Sequence, residues 1–415
     1  MNNNIIVVIV VLLVAGAVGW LMVPDNLSAD SSKPRQHGQK TDLKGTTPAQ
    51  WRVIWHESPA TEATISWSTA ENAVSKLYLD KKSRAAEIKK YSTKITASSA
   101  KYTTDEEDIY NHRVELKKLR PATKYWFILK TGDSVSQEFW FQTAPAKDVD
   151  FKFLYGGDSR SDRDNRRDVN GLIKKLIKAD PEIICIVHGG DYIYNGEDWE
   201  DWTEWLTDHE LLTLDDGRLL PIVPARGNHE DEGPLYDEIW NTPGKKDQNY
   251  WTTSLSPQFR IINLNTNISH GGDQKAFLTK ELKAGQKYRW LTANYHRPAY
   301  PAVKKPGDAL KHWVPLFEKY NADVIFESDG HTFKRTVPIR AGKKAEDGIV
   351  YIGEGGLGVK QRPPDEDRWY FKEGGKVGSF HHVQKVTVTT KKLTVETIDL
   401  EQKVKDIWSR KPRKR

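Results

Sequence analysis

The stretch that decides the fold is residues 151–191, which opens with FKFLYGGD (151–158) and closes with IICIVHGGD (183–191). Between these two apolar runs, Val169, Leu172, Ile173 and Ile177 recur at helical spacing. The second run is apolar throughout, as expected for a strand that is covered on both faces. Strand, helix and strand in this order predict an α/β domain.

Polar residues follow these strands and three later ones. LLPIVPA (219–225) leads to Asn228 and His229, RWLTANY (289–295) leads to His296, and DVIF (323–326) leads to Asp329 and His331. One such ending is usually an ordinary turn. Five in order predict a shared site, because ligands collect at the carboxyl ends of strands in α/β sheets. The mixed oxygen and nitrogen groups suit hard to borderline metals, and two metals fit if one carboxylate bridges.

In the residues on either side of this region, apolar and polar residues alternate instead of recurring at helical spacing. Short alternating segments such as TISWS (64–68), YWFIL (125–129) and EFWFQT (138–143) predict an all-β sandwich over residues 51–146. VQKVTVTT (383–390) and KLTVETIDL (392–400) predict a hairpin that closes a second domain at residues 150–402. Residues 403–415 are then a basic tail, expected to be solvated or to bind a polyanion such as anionic lipid.

Composition excludes several classes of protein. The 415 residues and 47.5 kDa fit two or three domains. The single cysteine, Cys185, excludes an intramolecular disulfide and a cysteine-rich zinc module. The formal charge of +6 equals the excess of seven Lys/Arg over one Asp in residues 403–415, so the rest of the chain is near neutral. We therefore expect no nucleic-acid partner, since that needs a basic face.

The amino terminus carries an apolar run of 19 residues, 5–23, long enough to cross a bilayer. Residues 1–24 are predicted to be a signal anchor or a cleaved signal peptide, and residues 25–50 a polar linker. Lys33 and Arg35 after the run favour a cytoplasmic location for that side. The resemblance described next favours export instead. We expect a membrane-anchored or secreted protein whose second domain lies outside the cytoplasm, and the sequence leaves its oligomeric state open.

The motifs together resemble those of the calcineurin-like metallophosphoesterases, most closely the purple acid phosphatase-like branch. That branch carries GD, GDxxY, GNH(D/E), a strand-ending His and GHxH. Residues 112–125 also resemble the late strands of a fibronectin type III domain. The resemblance covers residues 51 to about 400. It implies an N-terminal all-β sandwich that is fibronectin type III-like, followed by an α/β/β/α four-layer sandwich metallophosphoesterase domain.

The resemblance also implies a ligand set for two metals. The first metal is held by Asp158, Tyr194 and His331, Asp191 bridges, and the second metal is held by Asn228, His296 and Asp329. Tyr194 would favour ferric iron, unless it is only a tyrosine at the rim. Asp329 replaces the first histidine of GHxH in a gap-free match. A match shifted along the sequence would instead place Phe333 where the motif has its second histidine. A carboxylate in this position favours manganese, iron, magnesium or calcium over zinc as the second metal.

The implied activity is that of an acid phosphatase-like phosphoesterase with two metal ions, iron paired with manganese, iron, zinc, magnesium or calcium. A metal-bound hydroxide would attack a small phosphomonoester in line. His229 would contact the phosphate and protonate the leaving oxygen, or be an outer histidine braced by Glu230. Arg160 would clamp a phosphate oxygen or pair with an acid. A phosphodiesterase and a metal-containing binding protein without turnover are the alternatives. Lys304 and Lys305 stand near the place of a plant-type histidine pair, so substrate identity does not carry over.

Overall fold

The computed structural model describes residues 43–103, 108–230, 234–244 and 248–413. The predicted N-terminal anchor, and the predicted linker up to residue 42, lie outside the described residues. Across the described ranges, no helix combines the length and the apolar character needed to cross a membrane.

The N-terminal domain is a sandwich of β-sheets, as predicted. One sheet has the order β1-β2-β6-β5, and the other has the order β4-β3-β7-β8 with β9 also paired to β7. Side chains from both sheets, such as Trp67 and Phe127, meet in one buried core. The strands are β1 (Ala49–Ile54), β2 (Ala63–Thr69), β3 (Ser75–Asp80), β4 (Thr93–Thr96), β5 (Ser98–Thr103), β6 (Asp108–Leu116), β7 (Lys124–Thr131), β8 (Ser134–Val135) and β9 (Phe139–Gln142).

The second domain contains the remaining strands and the α-helices. The strands are β10 (Phe151–Gly156), β11 (Ile183–His188), β12 (Ile222–Val223), β13 (Trp251–Ser256), β14 (Phe259–Asn263), β15 (Trp290–Asn294), β16 (Val324–Glu327), β17 (Phe333–Arg335), β18 (Ile339–Arg340), β19 (Lys343–Lys344), β20 (Val350–Gly353), β21 (Lys376–Gly378), β22 (His382–Val388), β23 (Leu393–Asp399) and β24 (Val404–Arg410). The helices are α1 (Arg163–Ala179), α2 (Trp199–His209), α3 (Pro234–Trp240), α4 (Gly272–Ala284), α5 (Ala309–His312), α6 (Val314–Lys319) and α7 (Trp369–Lys372). Single 3-10 turns lie at Ile88–Lys90, Glu210–Leu212 and Gly285–Lys287.

Two sheets face each other at the centre of this domain. The first runs β24-β23-β22-β10-β11-β12, and the second runs β13-β14-β15-β16-β20-β17-β21. Phe153 of the first sheet packs against Phe259 and Phe326 of the second, with ring centroids 5.3 and 6.0 Å apart. Helices α1 and α2 contribute to the core on the outer face of the first sheet, and α4 and α6 to the core on that of the second. The predicted α/β/β/α arrangement is therefore confirmed.

The three tryptophans of α2 belong to the core. The Asp198 side chain caps the helix by accepting hydrogen bonds from the backbone N–H groups of Glu200 and Asp201. Trp202 and Trp205 are buried and pack against Tyr192, which follows β11. The helix thereby supports the loop that carries Asp191.

The two domains share one sheet. Strand β1 pairs in parallel with β12 at Ile54 and Ile222. This pairing joins β1, β2, β6 and β5 to the first sheet of the second domain, so that the combined sheet has ten strands. Tyr102 also stacks on Trp199, with ring centroids 4.4 Å apart. The N-terminal sandwich thus fixes the short strand that precedes Asn228 and His229.

The carboxyl-terminal residues differ from the expectation. Strands β22 and β23 form the predicted hairpin, with Val388 opposite Leu393. Residues 404–410, assigned above to a basic tail, form β24 alongside β23 instead. The reason is that their charges have partners in the fold: Arg410 donates to the carbonyls of Asp323 and Gly348.

Candidate metal centre

The site lies where the strands of both facing sheets end. Asp158 and Asp191 follow β10 and β11 of the first sheet, and Asn228 follows β12. His296 follows β15 of the second sheet, and Asp329 follows β16. Because parallel strands end at the same edge of a sheet, residues far apart in sequence are brought to one place.

Five of the predicted ligands form two overlapping groups. Asp158, Asp191 and His331 make the first group, and Asp191, His296 and Asp329 make the second. Within each group one ligand atom per residue lies within 4.8 Å of the others, and all five residues are buried. Asp191 belongs to both groups, which is the position of a bridging carboxylate.

The backbone at this site is strained. Asp158, Asp191, Asp329 and His331 have φ angles of 59°, 58°, 74° and 60°, in the left-handed region that non-glycine residues seldom adopt. Such conformations cost roughly 1–3 kcal/mol each and persist where the surrounding structure imposes them. Here four of the five clustered residues share this strain, so the fold holds their side chains in place at the expense of stability.

His296 has the arrangement of a metal-binding histidine. Its Nδ1 donates to the carbonyl of Gly189 at 2.9 Å, which directs Nε2 toward the carboxylates. Nε2 lies 3.1 Å from Asp191 Oδ1 and 3.5 Å from Asp329 Oδ1. Among the described residues, neither this buried nitrogen nor Asp158 Oδ1 has a hydrogen-bond partner of normal geometry. A cation in each group would satisfy one of these two atoms, so the residues fit a metal in each group.

The charges of the centre influence one another strongly. Burial alone would lower the pKa of His296, but Asp191 and Asp158 raise it well above its usual range. Burial would likewise raise the pKa of Asp191, yet His296, His229 and Arg160 hold it well below its usual range. The carboxylate is therefore kept ionised, as a bridging ligand must be.

Arg160 and His229 both contact Asp191. Arg160 Nε lies 3.2 Å from Asp191 Oδ2, and its Nη2 lies 3.4 Å from His331 Nε2. The backbone N–H of His229 donates to Asp191 Oδ1 at 3.0 Å. The His229 ring is partly exposed, and its Nε2 is 3.9 Å from Asp191 Oδ2. Both side chains therefore lie at the mouth of the centre.

Tyr194 and Asn228 lie beside these groups and are half-buried. The carbonyl of Tyr194 accepts a hydrogen bond from His229 Nδ1 at 2.7 Å. The Tyr194 ring lies 5.4 Å from the His229 ring and 5.8 Å from the guanidinium carbon of Arg160. Asn228 is adjacent to Gly227, where a Cβ would come within 2.2 Å of Asp191 Oδ1. Asn228 thus follows a residue that contacts Asp191, whereas Tyr194 lies against His229 and Arg160 at the mouth of the centre.

Glu230 has a role that the sequence analysis missed. Its side chain is fully buried and accepts hydrogen bonds from the backbone N–H groups of Asp191, Tyr192 and Gly227 at 2.9, 2.7 and 2.6 Å. The alternative in which Glu230 braces His229 is wrong, because the His229 ring bonds to the Tyr194 carbonyl instead. Glu230 fixes the two loops that follow β11 and β12.

A sixth strand ending was also missed. The loop after β20, GEGGLG (353–358), wraps around Asp158: Val359 N–H donates to the Asp158 carbonyl at 3.0 Å. Gly355 has a φ of 89°, and a Cβ there would meet Asp158 Oδ2 at 2.2 Å. Only glycine allows this approach. The cluster of glycines directly after an apolar strand was the available signal.

Lys304 also reaches the centre. Its Nζ lies 2.6 Å from Asp329 Oδ1, at the position where the sequence departs from GHxH. Burial would raise the pKa of Asp329, but His296 and Lys304 hold it well below its usual range. The lysine noted in the sequence only as a substitution is therefore part of the site.

The comparisons with known proteins agree with this geometry. Residues 48–143 match the family model of the purple acid phosphatase N-terminal domain, and residues 162–334 match that of calcineurin-like phosphoesterases. The chain is homologous to the purple acid phosphatases. The resemblance inferred from the motifs is thereby confirmed. The homologues and the fold indicate a metallophosphoesterase, which is a phosphatase-type hydrolase.

Three similar proteins illustrate the relationship. Purple acid phosphatase 21 of Arabidopsis thaliana is 27% identical over 328 residues, covering 71% of this chain and 69% of that protein. Acid phosphatase type 7 of Mus musculus is 24% identical over 265 residues, covering 56% of this chain and 58% of that protein. The purple acid phosphatase of yellow lupin (Lupinus luteus) seeds has the same fold, with a TM-score of 0.72 at 16% identity over 88% of this chain and 74% of that chain.

Proposed function

We propose that this purple acid phosphatase homologue is a dinuclear metal-dependent phosphomonoesterase. The observation that carries the proposal is the shared position of Asp191, which belongs to both groups of clustered ligands. One carboxylate common to two sites would let two cations bind close together, as phosphoryl-transfer enzymes require. The homologues named as acid phosphatases support the choice of a monoester.

We assign the ligands as the sequence predicts. Asp158, Tyr194 and His331 would hold one metal, Asn228, His296 and Asp329 would hold the other, and Asp191 would contribute to both. Two cations at these residues, iron paired with manganese, iron, zinc, magnesium or calcium, would supply a lowered pKa for water and charge neutralisation at the phosphoryl oxygens. The oxygen-rich second set favours a metal other than zinc.

The side chains at the mouth act on the substrate. Arg160 carries two guanidinium nitrogens within 3.4 Å of the ligands, so it is positioned to donate to a phosphate oxygen when the substrate arrives. His229 is oriented by the Tyr194 carbonyl through Nδ1, which directs Nε2 toward the cluster. It is thus positioned to hold a proton for the leaving oxygen of a monoester attacked in line.

Metal analysis together with hydrolysis of p-nitrophenyl phosphate and bis-p-nitrophenyl phosphate tests this function. We expect two metals per chain and faster turnover of the monoester. Faster turnover of the diester would identify a phosphodiesterase, and two metals without turnover would identify a binding protein. Asp191→Ala should abolish activity and leave the circular dichroism unchanged. Asp367→Ala, which removes an exposed carboxylate, is the matched control and should stay active.

We further propose that the catalytic domain works outside the cytoplasm, attached by residues 5–23 or released from them. The length of that apolar run supports the proposal. Protease added to intact cells should digest the domain. Digestion only after cell lysis would contradict this location.

A further inference from the structure

Lys304 faces the second group of ligands through Asp329. The ion pair is 2.6 Å long, and the Asp329 side chain is buried while 41% of the Lys304 side chain is exposed. The same carboxylate oxygen lies 3.5 Å from His296 Nε2. The ammonium group therefore touches the carboxylate that the proposed second cation needs.

The backbone around Lys304 is held firmly. Arg368 donates to the carbonyls of Pro301, Val303 and Lys304 at 2.6, 3.0 and 2.8 Å. The N–H of Ala302 donates to both carboxylate oxygens of the buried Glu354, at 2.9 and 2.7 Å. The fold thus places Lys304 over Asp329 by fixed main-chain contacts, and only its long, exposed side chain has freedom to move.

The two groups of ligands differ in this respect. Arg160 lies 3.2 Å from Asp191, which both groups share, and 3.4 Å from His331 of the first group, and it also donates to the Ser161 hydroxyl. In the second group, Lys304 pairs directly with Asp329, where the family pattern has a neutral histidine. An ammonium group and a metal ion bind the same carboxylate less well together than either does alone, because their charges repel.

We propose that Lys304 competes with the second cation for Asp329, so that the two metals bind in order and the second binds weakly. This inference rests on the proposed dinuclear centre. The ammonium neutralises Asp329 until a cation displaces it, and the exposed side chain then turns toward solvent. The concentration of the second metal therefore controls the fraction of the enzyme that contains both metals.

Titration of the metal-depleted protein with Mn²⁺ by calorimetry tests the inference without measuring activity. Wild type should show one tight and one weak step. Lys304→Met should tighten the weak step about tenfold, or about 1.4 kcal/mol, and leave the tight step within about threefold. Lys304→Arg, which keeps the charge, should retain the weak step. Lys311→Met removes an exposed lysine on α5 and should behave like wild type.

The outcomes separate this inference from the proposed function. An unchanged or weaker second step in Lys304→Met would overturn the competition while leaving the dinuclear centre in place. Equal tightening in Lys311→Met would overturn it too, because the effect would then be one of general charge. No Mn²⁺ binding by any of the four proteins would overturn the dinuclear centre and this inference together.

Discussion

Replacing Glu230 with glutamine tests how the ligand loops are held. The carboxylate accepts hydrogen bonds from the backbone N–H groups of Asp191 and Gly227 at Oε2, and from that of Tyr192 at Oε1. A glutamine oxygen can keep the first two bonds, but its NH₂ group then faces the third amide, donor against donor. The change removes one charge-assisted bond and weakens two others, which amounts to about 2–4 kcal/mol of folding stability.

The same change should weaken metal binding. Glu230 sets the position of the Asp191 backbone, and loss of groups that orient metal ligands typically costs about 10- to 100-fold in affinity. We expect Glu230→Gln to lower the melting temperature and the Mn²⁺ affinity together, measured by calorimetry. Glu197→Gln alters an exposed glutamate and is the control. Melting and affinity equal to those of the control would refute the reasoning.

Three further changes test other parts of the structure. If Tyr194 binds ferric iron, the purified protein absorbs visible light and Tyr194→Phe bleaches it; an active, iron-free, colourless enzyme would remove Tyr194 from the ligands. Gly355→Ala should weaken Mn²⁺ binding at least tenfold, since its Cβ would lie 2.2 Å from Asp158 Oδ2; wild-type affinity would show that the loop yields. Burial lowers the pKa of His112 to about 4, whereas the unfolded ring gains a proton below about pH 6.5, so this buried histidine costs stability as pH falls through that window. His112→Gln should remove on the order of 3 kcal/mol of the stability lost between pH 7 and pH 4, measured by urea unfolding; an unchanged pH dependence would contradict it.

The sequence predicts the ligand cluster because a repeated local pattern encodes it. Asp158 and Asp191 each follow an apolar strand and two glycines, and parallel strands must end at one edge of their sheet. The facing of the two sheets then brings His296 and Asp329 to the same place. None of this requires knowledge of individual side-chain contacts.

The contacts that support the cluster are not predictable in the same way. Glu230 bonds to backbone amides of two loops, and any buried glutamate could do so wherever the chain folds around it. The backbone that places Lys304 over Asp329 is held by Arg368, 64 residues later, among other contacts. The pairing of β1 with the two-residue strand β12 likewise depends on how the domains meet, which no periodicity records.

Anomalous diffraction from crystals of the Mn²⁺-loaded protein, collected at the manganese edge, tests the central claim most directly. The claim predicts two peaks about 3.5–4 Å apart, with the Asp191 carboxylate between them. Asp158 and His331 should contact one peak, and His296 and Asp329 the other. A single peak, or two peaks that do not share Asp191, would contradict it.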